Sequence, residues 1–206
     1  MHPKYAIVYA DPPWSYNDKK GGNPTMGAMT YPTVATEHIA TLDVPSLVAE
    51  SAALFLWVTW PLLPDGLRVM ESWGFRFVNC AFLWVKQSGN NALHPDLFDP
   101  GAESFFRLQC GLGHYTRTGT EPCLLGLKGK MQRLDSNVRQ VVFGHVQKHS
   151  KKPDECRNRI VKLFGDQPRI ELFARQTSPG WDVWGNEVHS SIRLNGSIEQ
   201  SEAHEL

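Results

Sequence analysis

Near the start of the chain, Asp11-Pro12-Pro13-Trp14 brings together a carboxylate, two rigid imino acids and an indole. Asp11 offers one hydrogen-bond acceptor, and the Pro12 carbonyl offers a second because the rigid Pro-Pro turn points it outward. Two acceptors on one amino group hold it in a fixed orientation, a task of positioning and electrostatics. Trp14 adds a flat face on which an unstacked base rests, and such stacking contributes roughly 1–3 kcal/mol per base in single-strand binders. The plain alternative is a stiff surface turn, so the tetrapeptide needs support from its surroundings.

The flanking elements supply that setting. Tyr5 to Ala10 (YAIVYA) is a short run of β-branched, aromatic and small residues halted by Asp11-Pro12-Pro13, as expected of a buried parallel strand ending in a rigid turn. Ala52 to Thr59, Phe75 to Lys86, Pro122 to Lys128 and Arg169 to Ala174 read as further strands. Leu62 to Trp73 reads as a helix stopped by Gly74, and Pro153 to Phe164 as one stopped by Gly165. This alternation predicts a three-layer α/β domain of Rossmann-like type with a largely parallel sheet, whose ligands bind at the carboxyl ends of the strands. Gly111-Leu112-Gly113 is followed by no helix start and is rejected as a dinucleotide fingerprint.

Between Lys86 and Glu121 a stretch rich in Gly, Asn, Pro and His is too long for an ordinary connection. It is expected to engage substrate through Asn90, Asn91, His94, His114 and Arg117. Bases outnumber acids from Lys128 to Lys162, and the loop residues Lys128, Lys130, Arg133, Lys148 and Lys151 are the expected phosphate contacts. Arg157, Arg159 and Lys162 on a helix read as a solvated face. Residues after His189 have low hydrophobicity and no clear period, so residues 1–188 are expected to form the domain and 189–206 a mobile tail.

With 206 residues and 41% hydrophobic composition the chain suits one well-cored domain. Lys plus Arg and Asp plus Glu number 21 each, so nucleic acid would have to be bound by local patches, not by an overall positive field. The four cysteines form no C-x-x-C pair, which suggests neither a zinc site nor a disulfide framework; no metal is expected. No apolar run approaches the roughly 20 residues a membrane helix needs, and the expectation is a soluble cytoplasmic protein with no membrane partner. Monomer and homodimer are both open.

A strand running into D-P-P-W resembles the catalytic motif of adenine-N6 methyltransferases. The likeness is closest to the branch holding the messenger-RNA adenosine methyltransferase catalytic subunit and its bacterial and phage relatives. It extends through Leu54–Thr59 (LFLWVT), Trp84-Val85-Lys86, Gly111–Glu121 (GLGHYTRTGTE) and Leu127–Lys130 (LKGK). It ends with His149–Glu155 (HSKKPDE), Ile170–Arg175 (IELFAR) and Gly180–Glu187 (GWDVWGNE). The resemblance implies S-adenosylmethionine as cofactor and nucleic acid as substrate, and DNA is favoured over RNA because the chain is small and shows no appended RNA-binding module.

Carried over residue by residue, the resemblance makes Asp11, Pro12, Pro13 and Trp14 catalytic. It places Asp11, Lys152, Phe173, Arg175, Ser178, Asn186 and Glu187 on the cofactor, within a cofactor half at 149–187. Tyr31, Trp57, Trp84, Lys86 and Glu121 fall to the target base, each with a plain alternative as a core aromatic or a surface charge; Trp14, Arg117, Lys128 and Lys130 join the substrate contacts on their own chemistry, as read above. Lys152 suits the methionine carboxylate, with a solvated lysine as its alternative, and Glu187 or Asn186 suits the ribose hydroxyls. Two further readings stand beside the DNA enzyme: an RNA adenosine-N6 methyltransferase and a catalytically silent binding subunit. Protein methylation would prefer Asn at position 11.

Overall fold

The computed structural model of the protein describes residues 4–15, 33–87, 115–147 and 151–194. Its elements run β1 (Tyr5–Ala10), α1 (Thr36–Ala40), α2 (Val44–Leu47), β2 (Val48–Trp57), α3 (Leu63–Ser72), β3 (Arg76–Gln87), β4 (Thr120–Lys128), β5 (Val141–His145), α4 (Glu155–Phe164), β6 (Arg169–Leu172) and β7 (Asp182–Trp184). The strands and helices that the sequence pattern indicates are all present, with ends shifted by a few residues. The pattern does not reveal α1, α2 or β5. The two helices are too short to show a period, and β5 is a five-residue edge strand with three exposed positions.

Among the described residues the strands form one sheet in the order β5-β3-β4-β2-β1-β6-β7. β4 runs antiparallel to both of its neighbours, and every other pairing is parallel. In β2, Ala52, Leu54 and Leu56 enter one core layer while Ala53, Phe55 and Trp57 enter the other. Both faces are covered, so the strand reads as an unbroken apolar run. Ile39, Val44, Val69, Met70 and Trp73, from α1 to the end of α3, fill the first layer, and Cys156, Ile160 and Phe164 of α4 fill the second. The result is a three-layer, Rossmann-like α/β domain. Helix α3 stops as the sequence suggests: Gly74 takes φ +79°, and the Phe75 N–H donates to the Met70 carbonyl at 3.0 Å.

The chain leaves β1 through α1 and α2 on one face of the sheet, and it enters β6 from α4 on the other. The adjacent carboxyl ends of β1 and β6 therefore form a topological switch point, where open α/β sheets bind ligands. Asp11 stands at this point. Among the described residues no helix is long and apolar enough to cross a membrane.

Ser191 to Leu194, expected from the sequence to lie in a mobile tail, are packed onto the domain. Ile192 and Leu194 are 6% and 5% exposed in the first core layer, and the Ser191 N–H donates to the Val183 carbonyl at 2.7 Å. The Ser191 hydroxyl also accepts the Val183 N–H, which ties this segment to β7. Only two apolar side chains are used, too few to register as a period in the sequence.

Gly185, just after β7, allows β7 to approach the chain leaving β6. A Cβ there would overlap the Ala174 carbonyl oxygen and lie 2.7 Å from its nitrogen, backbone atoms that cannot swing away. Gly185→Ala should destabilise the fold by about 1–3 kcal/mol. The measure is a lower urea midpoint at unchanged slope, and a wild-type midpoint would contradict this tight approach.

Candidate active site

Strand alternation aims four polar side chains at one place. Lys86 follows Trp84 on the second-layer face of β3, and Glu121 lies opposite Trp84 on β4. Asp11 follows β1, and Lys152 arrives from the segment between β5 and α4. The Lys152 ammonium lies 2.8 Å from Asp11 Oδ1 and 3.0 Å from Glu121 Oε1, and Glu121 Oε2 lies 2.8 Å from the Lys86 ammonium. Charges alternate along Asp11–Lys152–Glu121–Lys86. The inner pair is nearly sealed, at 7% and 6% side-chain exposure, whereas Asp11 keeps 30%.

Desolvation of a buried ion costs several kcal/mol unless opposite charges and hydrogen bonds compensate, and each inner member here has two opposite neighbours. The ring of Trp57 lies 5.6 Å from the Lys152 ammonium, and that of Trp84 lies 5.0 Å from Lys86. Burial pushes the Asp11 carboxyl above the usual aspartate value, opposed by Lys152 and reinforced by Glu121. For Glu121 burial also acts upward, but the Lys152 and Lys86 ammonium groups outweigh it and hold the carboxyl below its usual value. Burial acts to lower Lys152, and the two carboxylates reverse that, keeping it charged. The solvated-lysine alternative for Lys152 is thereby overturned.

The tryptophans lie in the core, the alternative left open for Trp57 and Trp84. Trp14, Trp57 and Trp84 are 6%, 0% and 0% exposed. Their indole N–H groups donate to the Trp57 carbonyl, the Tyr9 hydroxyl and the Gly144 carbonyl at 3.0, 2.7 and 3.0 Å. They are core aromatics that brace the site from beneath, and Trp14 is not the open stacking face read from its motif. In the turn itself the Pro12 carbonyl accepts the Trp14 N–H at 2.9 Å, leaving one of its lone pairs, and the Pro13 carbonyl accepts the Val34 N–H at 2.8 Å.

Beside Asp11 a cleft of about 200 Å³ opens between the ends of β1, β6 and β7, lined by Tyr9, Asp11, Lys151, Lys152, Arg157, Glu171, Phe173, Arg175, Gln176 and Glu187. Two larger cavities lie at the opposite end of the sheet, away from these charges. Phe173 has φ +62°, a left-handed conformation that costs a non-glycine residue roughly 1–3 kcal/mol and concentrates at functional sites. Its ring meets Trp184 edge-on at 5.3 Å, and the Ala174 N–H donates to the Trp184 carbonyl at 3.0 Å, holding the reversal. Arg175 Nε then lies 3.7 Å from Glu187 Oε1. Ser178 is half-buried with its carbonyl accepting the Trp181 N–H, and Asn186 is exposed.

Lys128 and Lys130 are not brought to this place. β4 is antiparallel and enters at the site with Thr120, so Lys128, paired with Ala52, ends at the opposite edge of the sheet. Seven residue steps along the strand separate Lys128 from Glu121, about 23 Å. Arg133 lines one of the distant cavities. Arg117 is exposed on the segment leading into β4 at the site end. Tyr31, Asn90, Asn91, His94, His114 and Lys148 lie outside the described residues.

The MT-A70 family model matches residues 5–187, which include Asp11, Lys86, Glu121, Lys152 and the whole cleft. The chain belongs to the MT-A70 family. Type II methyltransferase M.MunI of Mycoplasma sp is 33% identical over 96% of this chain and 85% of its own length. The N(6)-adenosine-methyltransferase catalytic subunit METTL3 of Homo sapiens is 29% identical over 95% of this chain and 30% of its own length. The N(6)-adenosine-methyltransferase MT-A70-like of Arabidopsis thaliana is 28% identical over 94% of this chain and 25% of its own length. This chain thus spans less than a third of those two longer relatives. MT-A70 proteins are S-adenosylmethionine-dependent methyltransferases, with adenosine N6 methylation as the family's activity.

Within this MT-A70 domain, sequence reasoning missed a buried clamp under the cleft. The Arg157 guanidinium donates two 2.7 Å hydrogen bonds to Glu171, a third to Asp154, and lies 5.5 Å from the Tyr9 ring. Arg157 is 7% exposed, so it does not belong to the solvated face expected of it. Lys162 does, with its side chain 60% exposed. The available signal was the position of Arg157 one residue beyond buried Cys156, on the flank of the helix nearest the apolar stripe.

Glu121→Ala would leave two ammonium groups facing each other, one of them buried. A loss of about 3–5 kcal/mol is expected, far more than for Glu37→Ala, which breaks a surface pair. Because the folded Glu121 value is depressed, its stabilisation is complete above the ordinary glutamate range and is lost as pH falls through the lowered value. Denaturant titrations of both variants at neutral and acid pH measure this. Equal small losses would contradict the buried chain of charges.

Proposed function

We propose that this chain transfers a methyl group from S-adenosylmethionine to the N6 amine of adenine in DNA. The observation that carries the reading is Asp11, a partly exposed carboxylate at the switch point, held by Lys152 and bordering a cleft with charges of both signs. The donor set suits the cofactor's chemistry: Lys152 and Arg175 for its carboxylate, Asp11 for its ammonium, Glu187 and Asn186 for its ribose hydroxyls, with Phe173 and Ser178 as walls. When bound, the cofactor would supply an electrophilic methyl from a positively charged sulfur, which would keep the electron pair of the broken S–CH3 bond and leave as a neutral thioether.

The chain's own residues have to orient a weak nucleophile whose lone pair is delocalised into the adenine ring. Asp11 accepts one N6–H, and the remaining lone pair of the Pro12 carbonyl accepts the other, which favours a pyramidal amine. Lys152 holds the Asp11 carboxylate in place and, by opposing the upward pull of burial, favours the ionised form of the acceptor. When the N6–CH3 bond forms, the nitrogen gives up a proton that Asp11 is placed to take.

DNA is preferred because a relative matched over most of its length is the Type II methyltransferase, whereas the N(6)-adenosine-methyltransferases above are matched over a small part of their length. Their 29% and 28% identity keeps RNA as the second reading. A silent binding subunit would not need Asp11, Lys152, Asn186 and Glu187 together.

The test is transfer of labelled methyl from S-adenosylmethionine to DNA and RNA oligonucleotides with and without adenine, followed by nucleoside analysis. Label should appear as N6-methyladenine in adenine-containing DNA, and Asp11→Asn should lower the rate about 100-fold or more. Label confined to RNA would replace the DNA reading, and no label in either polymer would point to the silent subunit. An Asp11→Asn rate within a few-fold of wild type would remove Asp11 from the mechanism.

A further inference from the structure

With Trp14, Trp57 and Trp84 buried, the site needs another aromatic surface if a nucleic acid strand is to be held open beside it. We propose that Trp60 is that surface, stacking against a base next to the adenine under methylation; the proposal rests on the function given above. All seven tryptophans fall among the described residues, and Trp60, at 46%, is the one that is markedly exposed.

A singly exposed apolar side chain needs no explanation by itself. Three features set Trp60 apart. It opens the 3-10 turn Trp60–Leu62 directly after β2, at the end of the sheet where Asp11 and Glu121 stand. Its indole N–H donates to the Thr120 hydroxyl at 2.9 Å, which fixes the ring plane instead of leaving it free to fold onto the surface. Pro61 stiffens the turn, and Leu62 and Leu63 anchor it on the core.

Placement then selects a neighbouring base over the target itself. Thr120 lies on β4, two strands from β1, or about 10 Å across the sheet at ordinary strand spacing. A ring pinned to Thr120 is too far for contact with an amine on Asp11 and within reach of that nucleotide's strand neighbours. Arg117 is exposed three residues before Thr120, where a guanidinium serves a phosphate. Every base has a π-face, so such a platform holds a strand without choosing its sequence.

The experiment measures binding, independent of turnover. Wild type, Trp60→Ala, Trp60→Phe and Thr120→Val are titrated with a labelled single-stranded adenine-containing DNA oligonucleotide by anisotropy, and wild-type tryptophan emission is followed in parallel. S-adenosylmethionine affinity is measured by calorimetry. Trp60→Ala should weaken DNA binding about 5- to 150-fold, Trp60→Phe less, and Thr120→Val by an intermediate amount, with cofactor affinity unchanged and wild-type emission quenched on saturation. DNA affinity of Trp60→Ala within two-fold of wild type, or unquenched wild-type emission, would overturn the stacking role while leaving the methyl-transfer reading intact. A wild type that bound no nucleic acid would overturn both.

Discussion

A lysine ammonium with 7% exposure persists in this fold because two carboxylates meet it, one from the end of β1 and one from the start of β4. Burial and Glu121 both lift the Asp11 carboxyl and Lys152 opposes them, while Lys152 and Lys86 together hold Glu121 low. The acceptor role proposed for Asp11, at a half-open position, depends on the sealed ion beside it. Such a chain is weak as a general source of stability, since an apolar replacement of equal volume often serves as well. Its value lies in the geometry and charge state it imposes on Asp11.

The sheet topology is what brings these groups together. Six strands carry their carboxyl ends to one edge, and β4, the reversed strand, delivers its first residues to that same edge. Glu121 therefore stands beside the ends of β2 and β3 although more than 30 residues separate it from Lys86. The same reversal carries Lys128 away. On the other flank, the Arg157–Glu171 clamp ties the start of α4 to β6 beneath the cleft, steadying the segment that bears Lys152.

The sequence disclosed the parts whose signals are local. Proline after an apolar run marked the end of β1, glycine marked the stop of α3, and two-sided burial made β2 a continuous apolar run. The family motifs pointed to Asp11, Lys152, Phe173 and Glu187, which the structure gathers around one cleft. What was not legible depended on direction and partnership. A basic loop looks alike at either edge of a sheet, so the sequence did not show that Lys128 ends at the edge away from Asp11. A tryptophan in a strand gives no sign of whether its face is open, and Trp57 and Trp84 proved fully buried while Trp60 did not. Arg157 became a buried residue only through Glu171, fourteen positions further along the chain.

The central claim is that Lys152 lowers the Asp11 carboxyl against the pull of burial and of Glu121, favouring its ionised form. The most direct measurement is the titration of the Asp11 carboxyl by carbon NMR, in wild type and in Lys152→Met. Wild type should titrate above the ordinary aspartate range, and Lys152→Met higher still, because removing the ammonium removes the largest influence acting downward. An Asp11 midpoint that stayed in place or fell in Lys152→Met would contradict the account.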